Sequence, residues 1–189
     1  MKMADSQKID APRQKVWEAL NDPDVLKAAI PGCEELTKSS DTEMEAKVKL
    51  KVGPVKATFG GKVSLEDLDP PNAYRIVGEG SGGVAGFAKG GAAVQLEEDG
   101  PDATILHYEV DAQIGGKLAQ LGSRLIDSTA KRLAGEFFAA FGEIVAPSKA
   151  EEAESAADVE PAPEAKKGWL GGLFGGKKGD NTDVAQDTA

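Results

Sequence analysis

The sequence predicts an α+β fold in which a curved antiparallel β-sheet wraps around one long C-terminal helix. Three observations lead to this prediction. Apolar and polar residues alternate through the middle of the chain, turn signals separate these segments without helical patterns between them, and apolar residues recur at helical spacing after Gly115-Gly116. With 189 residues and 40% hydrophobic content, the chain can form one domain with a real core, plus extensions.

The first part of the chain is predicted to form a short strand and two short helices. The strand ends near Ile9, and a helix follows over residues 12–21, with Asp10 as its cap and a proline in its first turn. The same cap-and-proline signal recurs at Asp22-Pro23. It begins a second helix that Pro31-Gly32 must end, because proline and glycine break helices.

A run of strands follows, and the clearest covers residues 43–52, where apolar residues alternate with glutamates and lysines. Gly53-Pro54 turns the chain into a partner strand that ends before residues 69–72. Three more strands follow, the last of them after the turn at residues 99–101. One face of the resulting sheet should be apolar and the other solvated.

The last element of the domain is predicted to be a long helix that runs to about Ile144. Its apolar stripe consists of Leu118, Leu121, Leu125, Thr129, Leu133, Phe137 and Phe141. This stripe and the apolar face of the sheet have no other partners, so the helix should lie across the concave side of the sheet. The order of elements is that of a helix-grip fold.

The chain divides into three segments by composition. The helix-grip domain is expected to cover residues 1–146. Residues 147–165 are rich in Ala, Glu, Ser and Pro without apolar periodicity, which predicts a disordered acidic linker. Residues 166–189 are predicted to be a flexible tail.

The tail contains an amphipathic segment, residues 166–178, in which two lysine pairs flank four large apolar side chains. These side chains share one stripe if the segment becomes helical, but its glycines make such a helix weak in water. The pattern predicts a weak, reversible contact with an anionic membrane surface. Docking into a protein groove and an ordinary disordered tail are the alternatives. The predicted membrane-contact residues are Lys166, Lys167, Trp169, Leu170, Leu173, Phe174, Lys177 and Lys178.

Charge and cysteine content restrict the class of protein. A net charge of −10 argues against general nucleic-acid binding, since that requires basic patches that neutralise phosphates. The single cysteine, Cys33, excludes an internal disulfide and suits a reducing cytoplasm. No apolar run reaches the roughly 18 residues that span a bilayer, and the N-terminus lacks a signal-peptide core. We therefore expect any membrane contact to be peripheral.

Catalytic and metal-ligating residues are scarce. His107 and Cys33 are the single histidine and the single thiol, so a paired nucleophile and base, or a zinc site, is hard to assemble. His107 also alternates out of phase with its apolar neighbours, which places it on the outer face of its strand. We predict no catalytic residue and no metal ligand.

A glycine-rich segment at residues 78–91 contains one large side chain, Phe87. Gly78, Gly80 and Gly83 match the spacing of a dinucleotide-binding loop, but no helix opens after them, so nucleotide binding is not supported. Two interpretations remain. The glycines could curve the sheet and form a loop, or the segment could be a mobile gate at the rim of an apolar cavity, with Phe87 as its lid.

Several of these stretches resemble a known family. They are IPGC at residues 30–33, VGPVKATF at 52–59, GSGGVAGFAKG at 80–90 and YEVDAQIGGKLAQLGSRLI at 108–126. Together they are similar to the carbon monoxide dehydrogenase G-subunit family, within the START-like superfamily, over about residues 7–141. The last motif is long and specific.

The resemblance implies an apolar cavity between sheet and helix in a non-enzymatic accessory protein. Its partner would be a molybdenum-containing carbon monoxide dehydrogenase or a related hydroxylase, tethered to the inner face of the cytoplasmic membrane. A bound quinone, held without a covalent cofactor, would connect that enzyme to the respiratory chain. The alternatives are an assembly factor for the hydroxylase with a closed cavity, and a START-like enzyme, which would need an inward-facing ionisable pair.

The candidate cavity residues follow from this arrangement. They are Leu50, Phe59, Ile76, Phe87, Val94, Leu106, Tyr108, Leu121 and Leu125. Among them, Tyr108 could orient a ligand carbonyl through its hydroxyl.

Overall fold

The computed structural model describes residues 1–146, which form one seven-stranded antiparallel sheet with helices on its inner face. The strands are β1 (Lys2–Ile9), β2 (Cys33–Lys38), β3 (Glu43–Val52), β4 (Val55–Asp69), β5 (Ala73–Ser81), β6 (Phe87–Glu98) and β7 (Thr104–Gly115). The helices are α1 (Arg13–Leu20), α2 (Pro23–Ala29) and α3 (Ser123–Val145), with 3₁₀ turns at Gly83–Ala85 and Ala119–Leu121. The predicted helix-grip fold is confirmed. The linker and tail assigned to residues 147–165 and 166–189 lie outside the described residues.

The strand order is β1-β7-β6-β5-β4-β3-β2, so the first strand pairs with the last and the rest form a meander. Cross-strand pairs such as Val48 with Phe59, and Val94 with Tyr108, show the register. Because side chains alternate along a strand, this register places one apolar set on the inner face. The hairpin between β3 and β4 has a two-residue loop, and Gly53 adopts the positive φ of 55° that its first position requires.

Sequence patterns located most elements but missed three local features. Strand β2 was not predicted, because the edge segment Cys33–Lys38 lacks a clear alternation of apolar residues. Asp10 does not cap α1, whose N-cap is Pro12, whereas Asp22 accepts backbone hydrogen bonds at the start of α2 as expected. The last helix begins at Ser123, after the predicted Leu118 and Leu121, because the chain breaks at Gly122 with φ of 85°.

The glycine-rich segment is largely strand. β5 continues to Ser81 and β6 begins at Phe87, which leaves residues 82–86 as the loop. At Gly78, a Cβ atom would lie 2.7 Å from the carbonyl oxygen of Lys62 on the neighbouring strand. That approach is too close for any other residue, so this glycine permits tight packing of β4 and β5. The curved-sheet interpretation therefore describes most of the segment.

The hydrophobic core occupies one end of the domain, where α1 and the C-terminal half of α3 meet the sheet. Val16, Thr104 and Phe141 are its largest fully buried residues. The Thr104 hydroxyl donates a hydrogen bond of 2.8 Å to the carbonyl of Ala11, so its burial carries no unsatisfied donor. The ring of Phe141 stacks on Phe137 with centroids 5.5 Å apart.

Among residues 1–146, no helix combines the length and apolar character needed to cross a membrane.

We expect Phe141 to be critical for stability. Its side chain is 0% exposed, so Phe141→Ala should lower the free energy of unfolding by about 3–5 kcal/mol through lost burial and a residual cavity. Urea denaturation measures the change. Ile144→Ala on the same helix is the control, because Ile144 is 42% exposed and should cost less than about 1 kcal/mol. Equal losses in the two variants would contradict this assignment of the core.

Candidate ligand cavity

A cavity of about 590 Å³ lies between the concave face of the sheet and α3. It exists because α3 approaches the sheet most closely at β1 and β3, near the two sides of the sheet, and less closely over the central strands. Helix α2 packs against α3 and β2, which closes part of one side. The helix and the curved sheet therefore border a space between them, and its size lies within the range of small-molecule pockets.

The lining of the cavity is apolar. It comes mainly from alternate positions of β3 to β7 and from α2 and α3, with single residues from β1, β2 and α1. The lining residues include Leu26, Ile30, Pro31, Leu36, Val48, Leu50, Phe59, Val63, Ile76, Ala92, Val94, Leu106, Tyr108, Val110, Leu133, Phe137 and Phe138. Tyrosine hydroxyls, from Tyr74 and Tyr108, are the polar side-chain groups of this lining. Such a surface suits an uncharged, largely hydrocarbon ligand.

Ala92, a small residue at the centre of the inner face of the sheet, leaves free volume in the cavity. Ile76, Ala92, Val110 and Met3 form one cross-strand row over β5, β6, β7 and β1. Ala92 contributes only a methyl group at the middle of this row, where larger neighbours would fill the space. The lining residues Leu50, Phe59 and Val110 remain only partly buried although they face inward, since they border unfilled space.

Six of the nine predicted cavity residues line the cavity: Leu50, Phe59, Ile76, Val94, Leu106 and Tyr108. That any of them binds a ligand stays a prediction. They were found because strict alternation on β3 to β7 defines the inner face.

The other three predicted residues lie elsewhere. Phe87 occupies the outer face of β6, out of phase with the inward Ala88, and its ring covers Gly115 while 43% of its surface is exposed. It is therefore not a lid over the cavity. Leu121 belongs to the 3₁₀ turn before α3, and Leu125 packs beside Gly53 at the β3–β4 hairpin. The helical stripe is correct for Leu125, but the sheet closes on the helix there and leaves no space.

Helices α2 and α3 both contribute lining residues that were not among the predicted cavity residues. Leu133, Phe137 and Phe138 supply the helical wall, and Leu26 and Ile30 supply part of a side wall. Leu133 and Phe137 were already on the predicted apolar stripe, so the signal was present. The role of α2 has no comparable signal, because a seven-residue helix is too short to show periodicity.

The two tyrosines differ in their surroundings. Tyr74 is buried, packs edge to face on Trp17 with ring centroids 5.4 Å apart, and has a pKa raised well above its ordinary value by burial. Tyr108 is only partly buried, and its pKa is raised by burial and then by the nearby carboxylate of Asp5. No hydrogen bond joins either hydroxyl to another described residue. Both hydroxyls are neutral at physiological pH, so each can donate a hydrogen bond.

The lining of the cavity contains two tyrosines but no Asp, Glu, His, Cys, Lys or Arg. His107 is on the outer face of β7, as its alternation predicts, with Nε2 at 3.3 Å from a carboxylate oxygen of Glu97. Burial raises the pKa of the Cys33 thiol, which lowers its thiolate fraction and hence its reactivity. Within residues 1–146 there is no group of three or more His, Cys, Asp or Glu side chains placed to hold a metal ion.

A broader depression of about 810 Å³ lies on the outer face of the sheet. Exposed ion pairs border it, including Lys47 with Glu35 at 2.7 Å and Lys62 with Glu45 at 3.5 Å. Pairs of this kind interact mainly with water and contribute little binding energy. We assign the candidate site to the inner cavity, because its lining is almost wholly apolar whereas charged side chains line much of the outer depression.

The sheet, the helix across it and the apolar space between them define a START-like helix-grip protein. A START superfamily protein from Mycobacterium smegmatis shares the fold with a TM-score of 0.53 and 14% identity, over 76% of this chain and 98% of that chain. The family model for the G subunit of carbon monoxide dehydrogenase (CoxG) matches residues 6–146. The chain therefore belongs to the carbon monoxide dehydrogenase G-subunit (CoxG) family.

Other solved structures are also similar. A conserved protein from Geobacillus kaustophilus has a TM-score of 0.73 and 27% identity, over 77% of this chain and 95% of that chain. The Zhui aromatase/cyclase from Streptomyces sp. R1128 has a TM-score of 0.54 and 15% identity, over 77% and 93% of the two chains. At the latter identity only the fold is shared. The comparison with curated proteins gave no match.

The carboxylate of Asp5 should influence the ionisation of Tyr108. Replacement of Asp5 with Asn removes a negative charge that disfavours tyrosinate, so the pKa of Tyr108 should fall toward its ordinary value. Absorbance of tyrosinate during an alkaline titration reports this directly, because the chain contains two tyrosines and Tyr74→Phe leaves Tyr108 alone. An unchanged or higher pKa of Tyr108 in the Asp5→Asn variant would exclude the proximity.

Proposed function

We propose that this protein is a non-enzymatic accessory protein that binds a hydrophobic, quinone-like ligand in the cavity beneath α3. It serves a molybdenum-containing carbon monoxide dehydrogenase or a related hydroxylase, and tethers or couples that enzyme to the inner face of the cytoplasmic membrane. The apolar cavity is the single observation that carries the proposal.

The chemistry of the lining favours a quinone among lipophilic ligands. A quinone is uncharged and joins an apolar tail to a ring with carbonyl acceptors. The apolar walls suit the tail, and the Tyr108 hydroxyl offers a donor for one carbonyl. A neutral hydrogen bond of this kind contributes about 0.5–1.5 kcal/mol, so it would orient the ring while apolar burial supplies most of the affinity.

The partner enzyme is inferred from the family. The description of that family as a subunit of carbon monoxide dehydrogenase supports an accessory role. The lining carries no Asp, Glu, His, Lys or Arg, which supports binding without catalysis, since acid–base chemistry needs such groups. The open cavity argues against an assembly factor whose domain is packed shut.

The membrane partner is inferred from the sequence of residues 166–178, which lie outside the described residues. Its lysine pairs and its apolar residues Trp169, Leu170, Leu173 and Phe174 together suit a weak contact with an anionic bilayer. A tether of this kind would hold the cavity close to its source of quinone.

Extraction of the protein purified from its native host tests the ligand. Organic solvent should release about one equivalent of quinone per chain, identified by chromatography and mass spectrometry. Protein that carries no lipophile from the native host would favour the assembly-factor role.

A matched pair of substitutions on β6 tests the location of the ligand. Ala92→Trp fills the cavity and should weaken binding of decylubiquinone at least about tenfold by calorimetry, because one bulky side chain removes space for the ring. Ala93 is the next residue and faces outward, so Ala93→Trp should leave binding unchanged. Thermal unfolding of both variants checks that they fold. Equal affinities in the two variants would place the ligand elsewhere.

Deletion of residues 168–178 tests the tether. We expect vesicles that contain phosphatidylglycerol to retain much less of the shortened chain, since the apolar residues and adjacent charges supply the contact. Decylubiquinone binding should not change. Undiminished retention on the vesicles would contradict the tail's role.

A further inference from the structure

We propose that the folded domain has its own surface for an anionic bilayer, at the end formed by the β3–β4 hairpin, the β5–β6 hairpin and the β7–α3 connection. This end is called the basic end below. The inference deepens the proposed function and rests on its membrane partner, but it concerns a surface of the domain and not the tail.

The charge of the domain is divided between its two ends. Residues 50–58, 80–90 and 112–126 form the basic end and contain no Asp or Glu. They carry five cationic side chains: Lys51, Lys56, Lys89, Lys117 and Arg124. The turns at the opposite end, residues 39–43, 66–72 and 97–103, carry two, three and four acidic residues and no Lys or Arg. In a chain with a net charge of −10, this separation directs one end toward negative surfaces.

The cations of the basic end are also available. All five are exposed, and none forms a salt bridge or a hydrogen bond with another described residue. In contrast, Lys8, Lys47 and Lys49 elsewhere in the domain each form an ion pair with a carboxylate. A cation without an ion-pair partner breaks no existing contact when it binds a phosphate, so these side chains can interact with lipid headgroups.

An apolar tip projects from the same end. Val84 is 84% exposed in the 3₁₀ turn of the β5–β6 hairpin, and residues 82–87 of this hairpin have no polar side chain. The backbone N–H of Leu118 donates a hydrogen bond of 3.0 Å to the carbonyl of Ala85, so Lys117 lies beside the tip. A small apolar protrusion with Lys117 beside it matches a bilayer interface, where the tip enters the headgroup boundary and the charges of the basic end meet phosphates.

A bilayer fits this surface better than an acidic protein does. Four of the five cations are lysines, a residue depleted in protein interfaces, and the tip offers no aromatic anchor other than the outward Phe87.

The tip also adjoins the cavity. A Cβ atom at Gly82 would lie 2.6 Å from the ring of Phe59, which lines the cavity, so the loop rests on the cavity wall. A bilayer contact here would place that wall next to the lipid.

Vesicle sedimentation with a full-length chain tests the proposal. The tail is first silenced by Trp169→Ala, Leu170→Ala, Leu173→Ala and Phe174→Ala. This chain should still sediment with phosphatidylcholine vesicles that contain phosphatidylglycerol, should not sediment with phosphatidylcholine alone, and should be released by salt, because its attraction is electrostatic.

Two further variants, made in the tail-silenced chain, locate the contact. Val84→Asn with Lys117→Gln should lower the partition coefficient at least about tenfold, since each charge near the surface accounts for about fivefold and the apolar tip is lost as well. Leu68→Asn with Lys8→Gln makes the same kinds of change at the opposite end of the domain, where Leu68 is 42% exposed and Lys8 pairs with Asp99. This control should change partitioning less than about twofold. Thermal unfolding confirms that both variants fold.

The outcomes separate this proposal from the proposed function. Equal partitioning of the two variants would overturn the basic end as the contact. If only the chain with an intact tail binds vesicles, the tether stands and this proposal fails, whereas failure of both chains removes the membrane role altogether. A carbodiimide cross-link from Lys117 to the chain's own acidic residues 151–160, without vesicle binding, would overturn the bilayer in favour of an intramolecular partner.

Discussion

The architecture depends on how α3 is held against the sheet. The C-terminal half of the helix is fixed by Phe141, which is fully buried between the helix and the core and stacks on Phe137. Toward the other end of the helix, Leu125 packs beside Gly53 of the β3–β4 hairpin. Between these two contacts Leu133, Phe137 and Phe138 line the cavity, so close packing is not complete over the central strands. The cavity is a consequence of this geometry, and small residues such as Ala92 preserve it.

The free-energy cost of leaving an apolar cavity unfilled favours a cavity that holds a ligand. An apolar lining of this extent that faced only empty space would cost stability, because its side chains would lose the dispersion contacts that close packing supplies. Water can offset little of that cost, because the lining offers few polar partners. A lipophilic occupant restores the lost contacts, and its binding stabilises the folded state by mass action. The fold is thus best suited to a ligand that water cannot replace.

The sequence was sufficient for the fold and for six of the residues that line the cavity. Alternation along β3 and the helical spacing of Leu133 and Phe137 indicate which side chains face inward. They do so because an element with one buried face carries apolar residues at its own structural period. The same rule could not place Phe87, since the start of β6 depended on a glycine-rich turn whose register the pattern does not encode. It also could not place Leu125, which is inward but meets the sheet at Gly53. Whether an inward residue lines a space or fills one depends on the separation of helix and sheet, and that is a property of the whole fold.

The two proposed membrane contacts are compatible in length. Helix α3 runs from the basic end to Val145, about 34 Å away at the rise of an α-helix. The 19 residues from 147 to 165 can extend to about 60 Å, and a flexible chain of that length typically spans about 25 Å. The tail can therefore return to the bilayer that the basic end faces, at the modest entropic cost of a stretched chain. The acidic residues of that segment are repelled from the same surface, which opposes tight binding and favours a contact that forms and dissolves. Such reversibility fits the proposed role, in which the protein holds a quinone-like ligand and tethers or couples its partner enzyme to the membrane.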